Sequence, residues 1–149
     1  MGLQQQVMEQ MKVAMKSKDK VALESLRAIK SALLLAQTEA GSKAEMSEEN
    51  EVKLVQKLVK QRKDSAAIFI EQKRQDLADP ELAQVAVIEQ FLPEQRSVEE
   101  IENVVVQVIK TTGASGMKDM GKVMGMVSKQ LGGQADGKTI STIVKSKLA

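Results

Sequence analysis

The chain contains no histidine, cysteine, tryptophan or tyrosine. Composition alone therefore excludes Ser-His-Asp and Cys-His catalysis, thiolate zinc sites, haem ligation by His or Cys, and disulfides. Without cysteine, thiol pairing says nothing about the redox compartment. Phe69 and Phe91 are the only aromatic rings, too few to build the stacking platforms that hold single-stranded bases. Long apolar runs are missing too. No stretch reaches the roughly 18 residues of a membrane span, because Lys or Gln interrupts each candidate. Nor does one sign of charge dominate: 22 Lys and Arg against 20 Asp and Glu leave +2, too little to mark a nucleic-acid partner by itself. The opening MGLQQQVMEQMK has neither the basic start nor the apolar core of a signal peptide, and Gln6 stands where N-myristoylation wants Ser or Thr. A cytoplasmic protein with no membrane partner is expected.

The chain does have 149 residues, 42% of them hydrophobic and 28% charged, enough for one domain or two small ones with a real core. Apolar residues recur with helical spacing almost throughout. Leu3, Val7, Met8, Met11, Ala14 and Met15 form a first stripe. Asp19 caps a second helix, which Leu23, Leu26, Ile29, Leu33 and Leu34 carry to about Ala40, where Gly41 stops it. Residues 41–47 read as a loop. Ser47, Glu48 and Glu49 open a third helix, in which Val52, Val55, Val59, Ala66 and Phe69 share a face to about Asp76, a length on the order of 40 Å. Arg62 lies in that stripe, read as an arginine that snorkels or pairs with a carboxylate, with a ligand contact at the bundle end as the alternative. Asp79-Pro80 marks a fourth start, with Leu82, Val85, Ile88 and Leu92 inside, Glu89 near the edge of that face, and Pro93 as the stop.

Leu92 to Arg96 is the best domain boundary. Ser97-Val-Glu-Glu100 is a capping box opening a helix with Ile101, Val104, Val105, Val108 and Ile109 inside and Gly113 at its end. Two short helices follow, Met117 to about Leu131 and Gly137 to Leu148, the second capped by Asp136. The expected fold is all-α. An N-terminal helical bundle of about four helices (1–93) precedes a smaller three-helix C-terminal domain (97–149), the two hinged near Pro93 to Ser97.

Charge is unevenly shared. Residues 1–92 hold 14 basic and 14 acidic side chains, whereas residues 103–149 hold seven Lys against Asp119 and Asp136. On a helical wheel Met117, Met120, Met124, Val127 and Leu131 fall on one side and Lys118, Lys122 and Lys129 on the other, with Gly125 beside the lysines. Lysines around a bare backbone patch would let a phosphodiester chain approach closely and be neutralised. In the last helix Lys138 and Lys145 turn away from Ile140, Ile143 and Val144. These six positions, Lys118, Lys122, Gly125, Lys129, Lys138 and Lys145, are the expected RNA-binding residues; an ordinary solvated helix face is the alternative.

Gly121-Lys-Val-Met-Gly125 fits the small-xxx-small pattern, read as close approach of a neighbouring helix at Gly121. Gly113-Ala-Ser-Gly116-Met-Lys118 lacks the spacing, the preceding strand and the Ser or Thr after Lys of a phosphate loop. Ser115 with Lys118, or Ser128 with Lys129, has no oxyanion hole to make a nucleophile useful. Glu48-Glu49 and Glu99-Glu100 sit in first turns, where the helix dipole accounts for them. No catalytic, cofactor-binding or metal-binding residue is expected.

At Lys118-Asp-Met-Gly-Lys-Val-Met-Gly125, Leu131-Gly-Gly-Gln-Ala-Asp-Gly-Lys138 and Ile143-Val-Lys145 the chain resembles the GatB/YqeY family. Leu26-Arg27, Arg62-Lys63-Asp64-Ser65 and Phe91-Leu-Pro-Glu-Gln95 extend the resemblance along essentially the whole chain, with a departure at Gln134, where the family pattern commonly has a basic residue. The resemblance implies a free-standing, mostly cytoplasmic bacterial protein. It would be similar to the C-terminal tail of the B subunit of the glutamine-dependent aspartyl/glutamyl-tRNA amidotransferase. That tail is thought to hold tRNA, while activation and ammonia transfer occur in a separate catalytic cradle that nothing here matches. A carbon-nitrogen ligase activity with glutamine as amido-N-donor is therefore inherited from the whole enzyme, and this chain is expected not to be catalytic alone. The implied partner is tRNA or another structured RNA, held through its backbone. A protein-interaction module docking on an amidotransferase or an aminoacyl-tRNA synthetase is the alternative.

Overall fold

Helical periodicity of the apolar residues becomes, in a computed structural model that describes residues 2–39 and 46–149, an all-α fold. Among the described residues there are seven α-helices, two short 3-10 turns and no strand. They fall into two compact units, Met1–Leu92 and Pro93–Ala149.

In the first unit α1 (Leu3–Ser17) and α2 (Lys20–Glu39) form a hairpin. Lys18 makes the turn in the left-handed region (φ 58°), and Asp19 Oδ1 then accepts the Ala22 amide at 3.1 Å as the expected cap of α2. The stop expected at Gly41 and most of the 41–47 loop lie outside the described residues. Ser47 caps α3 (Glu48–Glu71) through the Asn50 amide, and α4 (Gln75–Ile88) returns against α3 and packs on α2. A 3-10 turn, Glu89–Phe91, ends the unit.

The core joins Leu3, Val7 and Ala14 of α1, Leu26, Ile29 and Leu33 of α2, Val55 and Val59 of α3, and Val85 and Ile88 of α4. Each larger aliphatic buried there contributes about 1.5–3 kcal/mol. The apolar stripes are wider than the interfaces. Met8, Met15, Leu34 (49% exposed) and Leu82 (40% exposed) lie outside the core, because each is displaced round its helix from the residues that centre the contact. Phe69 and Val52 are half-buried.

The boundary between α3 and α4 corrects the sequence reading. α3 ends at Glu71, not near Asp76, and α4 begins at Gln75, before Asp79-Pro80. Lys73 enters the left-handed region (φ 60°), the Arg74 amide returns to the Phe69 carbonyl at 2.7 Å, and Arg74 then holds Asp76 at 2.9 Å. No glycine announces this stop. Pro80 lies inside α4 rather than at its first position.

Arg62 is half-buried on α3, and its partner is not a carboxylate. Its Nε donates to Gln84 Oε1 at 2.8 Å and its Nη1 to the Leu58 carbonyl at 3.2 Å, while Gln84 Nε2 reaches Glu24 Oε2 at 3.5 Å. Glu89, expected at the edge of the α4 face, lies instead in the 3-10 turn after α4 ends at Ile88, and pairs with Lys63 at 3.1 Å.

The second unit holds α5 (Val98–Thr112), a 3-10 turn (Met117–Asp119), α6 (Met120–Leu131) and α7 (Gly137–Leu148). Ser97 Oγ accepts the Glu100 amide at 3.1 Å, and Gly113 closes α5 in the left-handed region (φ 67°). Each helix offers an i, i+4, i+7 or i+8 series to a separate aliphatic core: Ile101, Val105 and Val108; Val123, Val127 and Leu131; Ile140, Val144 and Leu148. All three helices pack on one another.

Candidate nucleic-acid interface

With one side of α6 and of α7 committed to that core, their lysines face water. Lys118, Lys122, Lys129, Lys138 and Lys145 are all exposed, as is Gly125. Lys118 does not belong to α6; it sits with Met117 in the 3-10 turn before it, and Met117 is exposed rather than on the apolar side. The tighter winding of a 3-10 turn breaks the 100° register on which the wheel relied.

Four carboxylates of this unit are already engaged. Asp119 Oδ2 accepts the Ser115 amide at 3.0 Å and closes the loop leading into α6. Asp136 Oδ1 accepts the Thr139 amide at 2.6 Å and caps α7. Glu102 takes Lys147 at 2.7 Å, and Glu100 takes Arg96 at 3.0 Å. The hydrogen bond from Arg96, supplemented by those from Ser97, holds the Glu100 carboxyl below the usual glutamate range. Among the described residues, none of the five exposed lysines lies within ion-pair distance of a carboxylate. The positive field of α6, the turn before it and α7 is thus concentrated on these five amines.

Between the lysines the backbone is bare. A Cβ placed at Gly125 or at Gly121 would meet nothing within 4 Å beyond the helix itself. At Gly125 the backbone is therefore open. For Gly121 the open space corrects the reading: no neighbouring helix approaches there.

Gln95 and Arg96 escaped the sequence reading as part of this region. They lead into α5, yet they bond to the α6–α7 turn at Gly133 and Gln134. Their position in a boundary segment gave no sign of a contact 38 residues away. As for other chemistry, no cluster of three His, Cys, Asp or Glu among the described residues is placed to hold a metal ion. Among the same residues no helix is long and apolar enough to cross a membrane.

The second unit is thus all-α, with exposed lysines on α6, the turn before it and α7. The model of the YqeY-like proteins matches residues 4–148, and the chain belongs to that family. It is 32% identical over 127 residues to altered inheritance of mitochondria protein 41, mitochondrial, of Pyrenophora tritici-repentis, covering 84% of this chain and 68% of that protein. It is also similar to the E subunit of glutamyl-tRNA(Gln) amidotransferase. The match is 46% identical over 48 residues in Thermococcus gammatolerans and 43% over 56 residues in Methanococcus maripaludis, 32% and 35% of this chain. Those stretches are 8% and 9% of the two archaeal proteins, so the chain spans less than a tenth of their length.

Proposed function

We propose that the chain is a non-catalytic module that holds tRNA, or another structured RNA, by its sugar-phosphate backbone. The observation that carries this reading is the set of five exposed lysines without a carboxylate partner on α6, the turn before it and α7, together with the bare backbone at Gly125. In the same unit the carboxylates of Asp119, Asp136, Glu100 and Glu102 are turned to backbone amides or to other cations. A-form RNA is recognised by shape, phosphates and 2′-hydroxyls rather than by stacked bases, which suits a chain with two aromatic rings.

A second reading, docking on an amidotransferase or an aminoacyl-tRNA synthetase, is favoured by the likeness to the archaeal amidotransferase proteins. On either reading amide transfer is the partner's chemistry. The purified chain is then expected to show no glutaminase, ATPase or amidating activity alone, since its sequence, without His or Cys, offers no recognisable nucleophile, base and oxyanion set. The location read from the sequence, the cytoplasm, goes with this proposal, although the name of the fungal relative places that protein in mitochondria.

Filter binding of unfractionated tRNA across a range of salt concentrations tests the proposal. Replacing Lys118, Lys122 and Lys129 together by Ala should flatten the slope of log affinity against log salt by about 2 to 3 units, with helicity unchanged. Equal slopes for parent and triple variant, both folded, would favour protein docking instead.

A further inference from the structure

Gln95 and Arg96 form a buckle. The Gln95 side-chain amide donates to the Pro93 carbonyl at 2.9 Å and to the Gly133 carbonyl at 3.0 Å. The Arg96 backbone N–H donates to the Gln134 carbonyl at 2.8 Å, its Nε to Gln134 Oε1 at 3.2 Å, and its Nη1 to Glu100 Oε2 at 3.0 Å. Two successive residues thereby hold two successive carbonyls of the α6–α7 turn. That turn needs holding. Gly132 and Gly133 both have positive φ, 54° and 89°, and two adjacent glycines leave a backbone with little restraint of its own. Lys129 occupies the last turn of α6 and Lys138 the first turn of α7, and helix ends next to a loose turn fray first.

We propose that Gln95 and Arg96 are positioning residues. By fixing the Gly132–Gln134 turn, they set the spacing at which Lys129 and Lys138 meet adjacent phosphates of a polyanion. This rests on the lysine-face reading above and adds residues that do not themselves touch the ligand. It also makes the segment leading out of the first unit the handle by which the face is held in register.

The experiment uses the full chain, Gln95→Ala, which changes no charge, and Arg96→Gln, which removes one. Two measurements are made on each. Amide exchange without RNA should show residues 132–135 and Arg96 exchanging several-fold faster in both variants, with Ile101 to Val108 unchanged. Filter binding of unfractionated tRNA should show affinity roughly three- to tenfold weaker, the loss of one or two exposed hydrogen bonds, at an unchanged salt slope. Unmoved exchange at the turn would overturn the buckle. Faster exchange with unchanged affinity, in a parent that binds tRNA, would overturn the positioning role. A salt slope lowered by about one unit in Arg96→Gln would do so as well, because Arg96 would then be a phosphate contact itself. A parent that binds no tRNA overturns the lysine-face reading and with it the positioning role; the exchange measurement still decides separately whether the buckle holds the turn.

Discussion

Arg62 and Gln84 join α3 to α4 through a charged donor and a neutral acceptor, 2.8 Å from Nε to Oε1. A half-buried guanidinium with no carboxylate within ion-pair distance among the described residues depends on such acceptors for its stabilisation. Gln84→Ala should therefore cost about 1–2 kcal/mol, seen as a lower urea midpoint at unchanged slope. Arg62→Met keeps the packing of the stem and should cost less than Arg62→Ala. Equal costs for those two would show that the charge, not the stem, carries the effect.

Gly121 and Gly125 carry the helix-propensity penalty without a neighbour to excuse it. Gly121→Ala and Gly125→Ala should each stabilise the chain by about 0.5–1 kcal/mol. Gly125→Glu should weaken tRNA binding more than Lys110→Glu on α5. A loss of stability in the alanine variants would mean that the backbone at α6 is closer to a neighbour than the structure places it.

Two exposed carboxyls with depressed pKa values should add modestly to the acid sensitivity of the chain. Asp76 is held below its usual range by Arg74, and Glu100 by Arg96 and then Ser97. A group whose folded pKa is depressed contributes stability above its unfolded value and loses it as pH falls through the folded one. The melting temperature should thus decline on acidification below about pH 4 to 4.5. The decline should be shallower in Glu100→Gln and Asp76→Asn. With no histidine present, the curve should be flat between about pH 5.5 and 7.5.

Lys73 adopts φ 60° to end α3, a conformation that disfavours every side chain bearing a Cβ. Lys73→Gly should stabilise the protein by roughly 0.5–1 kcal/mol, the relief being partly offset by a more flexible unfolded chain. Thermal melts of parent and variant would check this, and a lower melting temperature would count against strain at the turn.

Much of the architecture was legible because the core positions are aliphatic and spaced by helical turns. Val55 and Val59, or Ile101, Val105 and Val108, announce both the element and the face it buries. Caps were legible where a short polar side chain reaches a backbone amide, as at Asp19, Ser47, Ser97 and Asp136. The α3–α4 turn was not, because a lysine rather than a glycine makes it and the Asp79-Pro80 pair offers a more familiar start six residues downstream of Lys73. Exposure of Leu34 and Leu82 depends on how wide the facing helix is, which periodicity does not encode. In the candidate interface the exposure of Lys122, Lys129, Lys138 and Lys145 could be read from spacing alone, whereas Lys118 sits in a 3-10 turn outside that register. That Asp119 and Asp136 are occupied by backbone amides, and that Gln95 and Arg96 brace a distant turn, are facts of tertiary placement.

The open space at Gly125 also gives the molecule a natural attachment point. A cysteine introduced there would be the sole thiol of the chain, so a spin label or photocrosslinker could be placed on the lysine face with complete chemical selectivity. The protein itself contributes no indole or phenol fluorescence. Any such emission in a mixture would then come from the partner, and changes in it, or quenching by the label, would measure engagement against a dark background.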